Sequence, residues 1–131
     1  MPPPTPGAYL KMRRCAARLS VADVAARIAT VPRLAEHARV ELIELIEADA
    51  APASFATVVV FNNVYPFDIE VLAALQRIKL GADFAPPHLC RICACSDHDP
   101  CFRGTVFGPC FWVEDGLCSA CATPPTRSAT A

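Results

Sequence analysis

Seven of the chain's eight cysteines crowd into its last third, as Cys90-Arg-Ile-Cys93-Ala-Cys95, Cys101, Cys110 and Cys118-Ser-Ala-Cys121. Two Cys-x-x-Cys pairs frame that segment, with twenty-four residues between them. Each pair puts two sulfurs on one tight turn whose backbone N–H groups are free to face them. Two such turns, opposed, make the sulfur tetrahedron that Zn²⁺ fills in closed structural sites. Apolar burial is a weak substitute here. The large apolar side chains are few: Ile92, Phe102, Val106, Phe107, Phe111, Trp112, Val113 and Leu117. A core of that size does not offset the ordering entropy of the segment. Structural zinc supplies on the order of 10 kcal/mol at such sites, so coordination is expected to decide whether residues 90–121 fold.

Cys90, Cys93, Cys118 and Cys121 are expected to hold one zinc. Inside the frame, Cys95, Cys101 and Cys110 together with His98 complete a second set, because zinc accepts both thiolate and imidazole. Two other arrangements compete. Seven thiolates bind two zincs if one sulfur bridges them, leaving His98 free, or the inner cysteines are small buried hydrophobes beside a single zinc. A four-thiolate iron–sulfur cluster satisfies the same count, although opposed Cys-x-x-Cys turns are a common zinc-ribbon pattern. A catalytic zinc keeps one position open, usually among His or carboxylate ligands. Thiolates dominate here, so the expected role is structural and the chain is not expected to be an enzyme. Metal loading carries the segment from −1 to about −3 with one zinc or about −4 with two. Such an anionic module is a poor phosphate binder. Arg91, inside the first pair, either screens the sulfurs or is solvated, and Phe111-Trp-Val113 is expected to cover the metal. His88 is read as a linker residue, His37 as a helix residue and Cys15 as core.

A chain of 131 residues allows one compact domain or two very small ones. The densest apolar run, Val58 to Phe61, is far short of the roughly eighteen residues of a membrane span. Met1-Pro-Pro-Pro-Thr-Pro-Gly7 lacks the basic-then-apolar order of a secretory signal, so cytoplasmic residence is expected. A reducing compartment favours metal thiolates over disulfides. The net charge of −1 conceals an asymmetry: residues 1–40 carry +5 and residues 41–89 carry −5. Only the basic end would attract a polyanion.

The predicted organisation is mainly α, an N-terminal helical bundle followed by a small zinc-ribbon or knuckle module. Residues 1–7 form a disordered lead, 8–81 the helical domain, 82–89 a linker, 90–121 the zinc module and 122–131 a disordered tail. A first helix over 8–19 aligns Met12, Cys15, Ala16 and Leu19 as a buried stripe. Ser20 caps the next, with Asp23 completing a capping box and Val21, Val24, Ala25 and Ile28 inward. Pro32 opens a long helix to about Ala48, with Ala35, Ala38, Leu42, Leu45 and Ile46 on one face. Thr57-Val-Val-Val60 prefers strand, yet a strand without a partner is unstable, so a short buried helix capped by Ser54 is expected. Asp68 caps a last helix that Gly81 stops.

Leu19 to Ile28 resembles the first helix of a phage-repressor-like helix-turn-helix, with Ser20, Val24, Ala25 and Ile28 in the pattern's cap and apolar places. Ala29 stands for the turn glycine and Pro32 begins the second helix. The words Cys-Arg-Ile-Cys-Ala-Cys, Trp-Val-Glu and Leu-Cys-Ser-Ala-Cys resemble a cysteine-rich module of small phage and prophage proteins. Its form is C-R-x-C-G-C…C…C-x-W-V…L-C-S-x-C, with Ala94 replacing the usual glycine. That resemblance implies a metal site and leaves the function open. Two functions are expected. The first is nucleic-acid binding through Arg13, Arg14, Arg18, Arg27, Arg33 and Arg39 on DNA phosphates. The second is a protein-interaction adaptor for a host or phage protein, with zinc shaping the docking surface. The 32–48 helix either carries a dimer seam or completes the bundle.

Overall fold

In the computed structural model, Ser20, Ser54 and Asp68 each open a helix as side-chain caps, the role the sequence predicts for them. The structure describes residues 2–30, 32–101 and 108–122, and the chain divides into two compact units, Met1–Pro87 and His88–Ala131. The first unit contains α1 (Pro6–Ala16), α2 (Val21–Arg27), α3 (Glu36–Glu47), α4 (Phe55–Asn62) and α5 (Ile69–Lys79). The second contains β1 (Trp112–Glu114), β2 (Leu117–Cys118) and the short α6 (Ser119–Ala122). The apolar Phe102, Val106 and Phe107 of the cysteine segment, and the tail beyond Ala122, lie outside the described residues. Among the described residues no helix is long and apolar enough to cross a membrane.

The capping box at α2 is reciprocal. Ser20 Oγ accepts the Asp23 N–H at 3.0 Å, and Asp23 Oδ2 accepts the Ser20 N–H at 2.9 Å. At α4, Ser54 Oγ accepts the Thr57 N–H at 3.2 Å. Val58 and Phe61 bury against the core, so tertiary packing overrides the strand preference of the valines. Phe61, Tyr65, Phe67 and Tyr9 make a chain of ring contacts with centroids 5.5 to 6.5 Å apart. Tyr9 Oη also accepts the Asp68 N–H at 2.9 Å, which ties the start of α5 to α1. α1 packs on α3 and α5, and α2 packs on α3.

The lead is not free up to residue 7. Thr5 caps α1, Pro6 occupies its first turn, and Gly7 is buried. A Cβ at Gly7 would lie 2.4 Å from the Ile46 carbonyl oxygen, so only glycine permits this approach of α1 to α3. Asp49 fastens the junction: it accepts the Thr5 hydroxyl and, at 2.9 Å, the Gly7 N–H. Asp49 itself adopts φ +60°, just beyond the C-cap of α3. Its N–H bonds to Ile46 O and that of Ala50 to Leu45 O, closing a Schellman turn.

α1 buries a different face from the predicted one. Tyr9, Leu10, Arg13 and Arg14 are inside, whereas Cys15 is exposed and Met12 half-buried. The helical spacing is present, but two of its members are arginines. Arg14 makes a two-pronged ion pair with Glu47, Nε–Oε2 2.7 Å and Nη2–Oε1 2.9 Å, and donates from Nη1 to Leu19 O at 2.8 Å. Those bonds, led by the one to Glu47, raise the guanidinium pKa against the opposing effect of burial. Arg13 donates to Pro66 O at 3.3 Å. The third helix starts at Glu36 rather than Pro32 and buries Ile43 and Ile46, leaving Leu45 41% exposed. α2 and α3 are joined by residues 28–35, longer than the roughly three- to four-residue turn of a helix-turn-helix. Arg39 bonds across that connection, Nε to Ala25 O at 2.7 Å and Nη1 to Leu34 O at 2.6 Å.

Arg14→Met strands a charged Glu47 whose side chain is only 6% exposed. A broken buried pair costs about 3–5 kcal/mol, much of a small unit's stability, so the urea midpoint followed by helical circular dichroism should collapse. The double variant Arg14→Met/Glu47→Leu should recover most of it. A pH effect is expected at Asp49. Burial pushes its carboxyl up, but Thr5, the Gly7 amide and Lys79 outweigh that and hold it below the usual carboxylate range. The folded pKa is the lower one, so its stabilisation is complete above the unfolded value, about pH 4, and fades as pH falls through the folded value. Thermal melts across that range should show an acid limb that Asp49→Asn flattens.

Candidate metal centre

The first cysteine pair closes a turn around its own sulfur. The Ile92 N–H points to Cys90 Sγ at 3.5 Å, the Ala94 N–H to Cys90 O at 2.8 Å, and the Cys90 N–H to Cys95 O at 3.1 Å. Ala94 sits fully buried with φ +62°, in the left-handed region. An L side chain there costs roughly 1–2 kcal/mol, which a glycine would avoid.

A hairpin carries the second pair. β1 and β2 are antiparallel, Trp112 opposite Cys118 and Glu114 opposite Leu117, around a turn at Asp115-Gly116. The two strands were not among the predicted elements. Asp-Gly is the turn signal that marks them, and Gly116 supplies the φ of +79° the turn requires. Beyond the ladder, the Ser119 N–H donates to Phe111 O at 2.7 Å and the Phe111 N–H to Ser119 Oγ at 3.1 Å. Arg91 joins the two pairs: its N–H donates to Gly116 O at 2.8 Å, and its guanidinium lies 3.2 Å from Glu114 Oε2.

This arrangement gathers Cys90, Cys93, Cys95 and Cys118, all buried, with their sulfurs within 4.8 Å of one another. Cys95, expected in the second set, stands among them. Cys121 is half-buried beside Cys93 and Cys118, within hydrogen-bonding reach of both. Cys110 Sγ lies 3.7 Å from Cys95 Sγ and accepts the Cys101 N–H at 3.2 Å. His98, expected in the second set, is exposed on the turn between Ser96 and Asp99 and stands outside the group of four. His88 faces Asp115 Oδ1 at 3.1 Å and stacks on Trp112 at 4.1 Å, and Trp112 donates to Asp97 Oδ1 at 2.7 Å. Phe111 and Val113, expected over the metal, are 67% and 46% exposed.

The donor set fits a soft divalent ion. All eight cysteines are free thiols. Zinc–sulfur bonds of about 2.3 Å set tetrahedral sulfurs about 3.8 Å apart; Cys93 and Cys118 are 3.9 Å apart, and Cys95 and Cys110 are 3.7 Å apart. Proton chemistry points the same way. The thiol of Cys95, followed by backbone and further thiol bonds, draws Cys93 down to about 4 against burial. Its bond to Cys93, then burial, pushes Cys95 up. Burial and the Cys93 charge push Cys121 up, and burial, with the same charge, carries Cys118 to about 11. One thiolate thus opposes the next, an opposition that a cation among them would relieve.

The arginines expected on DNA divide in two. Arg13 and Arg14 are buried and bonded within the helical unit, and Arg39 is half-buried on backbone carbonyls. Arg18, Arg27 and Arg33 are exposed. Comparison of the chain with protein-family models, curated proteins and solved structures found no match.

Ala94→Gly should remove the left-handed penalty and raise the melting temperature of the metal-loaded chain, while Ala94→Val should lower it. An unchanged melt for both would show that the turn tolerates a side chain at this φ.

Proposed function

We propose that this chain is a small, phage-derived accessory protein of a reducing cytoplasm, working as a protein-interaction adaptor whose C-terminal unit takes its shape from structural Zn²⁺. The observation that carries it is the buried group of Cys90, Cys93, Cys95 and Cys118 sulfurs, gathered within 4.8 Å of one another. The thiolate set offers no open position for a substrate, so the metal is structural and the chain is not an enzyme. Exposed Phe111 and Val113, two apart on the hairpin edge, and exposed Ile92 supply apolar surface for a partner. The inward use of Arg13, Arg14 and Arg39 favours the adaptor over the nucleic-acid reading.

A second reading is supported by Lys11, Arg18, Arg27 and Arg33, which are exposed within the +5 segment and suit contacts to DNA phosphates. The two separate in one titration. Nucleic-acid binding predicts an affinity that falls steeply as salt rises and weakens in Arg18→Ala/Arg27→Ala/Arg33→Ala. The adaptor predicts no such affinity, together with capture of a defined host or phage protein that Phe111→Ser abolishes. Zinc itself is tested by elemental analysis: loaded protein should lose its ordered C-terminal unit, seen by NMR, when a chelator strips the ion.

A further inference from the structure

This inference rests on the divalent-metal reading of the cysteine unit and extends it to the number of ions and the way they are joined. The group of Cys90, Cys93, Cys95 and Cys118 is not closed on itself. Cys110 Sγ lies 3.7 Å from Cys95, a spacing suited to two ligands of one zinc. Cys101 is buried and locked to Cys110 in both directions: its N–H donates to Cys110 Sγ at 3.2 Å, and its carbonyl accepts the Cys110 N–H at 2.8 Å. On the other flank, Cys121 adjoins Cys93 and Cys118. A single four-coordinate ion would leave three of these seven sulfurs packed beside it with no ligand role.

We propose that the seven cysteines hold two divalent ions as one cluster. The first ion takes Cys90, Cys118 and Cys121, the second takes Cys95, Cys101 and Cys110, and the sulfur of Cys93 is shared between them. Two tetrahedral ions need eight coordination positions, so seven sulfurs require one bridge. Cys93 adjoins the first set and meets the second at Cys95. Its sulfur lies within 4.8 Å of Cys90, Cys95 and Cys118, at 3.9 Å from the last, and Cys121 is within thiol hydrogen-bonding reach. Sharing a thiolate also buries less charge, about −3 for the cluster against about −4 for two separate four-thiolate sites. His98, exposed on its turn, is not needed as a ligand.

The test uses the full chain produced with zinc, its metal content read by atomic emission and native mass spectrometry. Two ions per chain are expected. Replacing zinc with ¹¹³Cd should give two resonances split by coupling to each other through the common sulfur. Cys110→Ser should drop the content to one ion and abolish the splitting. Cys93→Ser should also remove the splitting, and should it fail to fold, Cys101→Ser, expected to behave as Cys110→Ser does, replaces it. One ion per chain, with Cys101 and Cys110 open to alkylation, overturns the proposal. Two resonances without splitting overturn the shared sulfur. A chain free of metal, or with its cysteines oxidised in pairs, defeats instead the metal reading on which the proposal stands.

Discussion

Crowded thiols are an unstable arrangement by themselves, because the first to ionise opposes the ionisation of its neighbours. In the C-terminal unit neighbouring thiols draw the pKa of Cys93 down, while its bond to Cys93 pushes that of Cys95 up and burial pushes those of Cys118 and Cys121 up. A divalent cation among them would reverse that opposition. Among the described residues the regular structure there is one short hairpin and one turn of helix, and several apolar side chains face solvent. Sulfur positions depend on backbone details: the left-handed Ala94, the Asp115-Gly116 turn, and the reciprocal bonds of Phe111 with Ser119. These bonds arrange the donors, and coordination would hold them.

The helical unit solves a different problem, how to bury charge. Arg14 and Glu47 satisfy one another in both prongs of a bidentate pair, and the third nitrogen of Arg14 is used on Leu19 O. Asp49 does similar service at the surface of the same helix junction, receiving the first turn of α1. The formal +5 of residues 1–40 therefore overstates the field available to a polyanion. Arginines that read as a phosphate-binding set in one dimension are partly structural in three. Both protein docking and nucleic-acid binding stand as proposals, and salt dependence separates them.

Helix caps were legible because they are local: Ser20, Ser54 and Asp68 act on amides two or three residues away. That the cysteines of residues 90–121 come together was legible too, since paired cysteines at short spacing favour a common centre. Helix faces were harder. The stripe of α1 was read through Cys15 and Ala16 because arginines count as polar, and only the presence of Glu47 across the interface makes Arg14 an interior residue. The Asp115-Gly116 hairpin went unread although its turn signal is strong, because short strands carry too few residues to show alternation.

Chain composition by itself thus determined the kind of element and the kind of chemistry: helices where caps and apolar spacing agree, and a thiolate centre where cysteines pair. Tertiary structure alone decided which sulfurs meet, putting Cys95 with Cys90, Cys93 and Cys118. It also decided which arginines turn inward. The reason is physical: caps and knuckles act over a few bonds, whereas ligand sets and buried ion pairs join residues distant in sequence, whose distances exist only once the chain has folded.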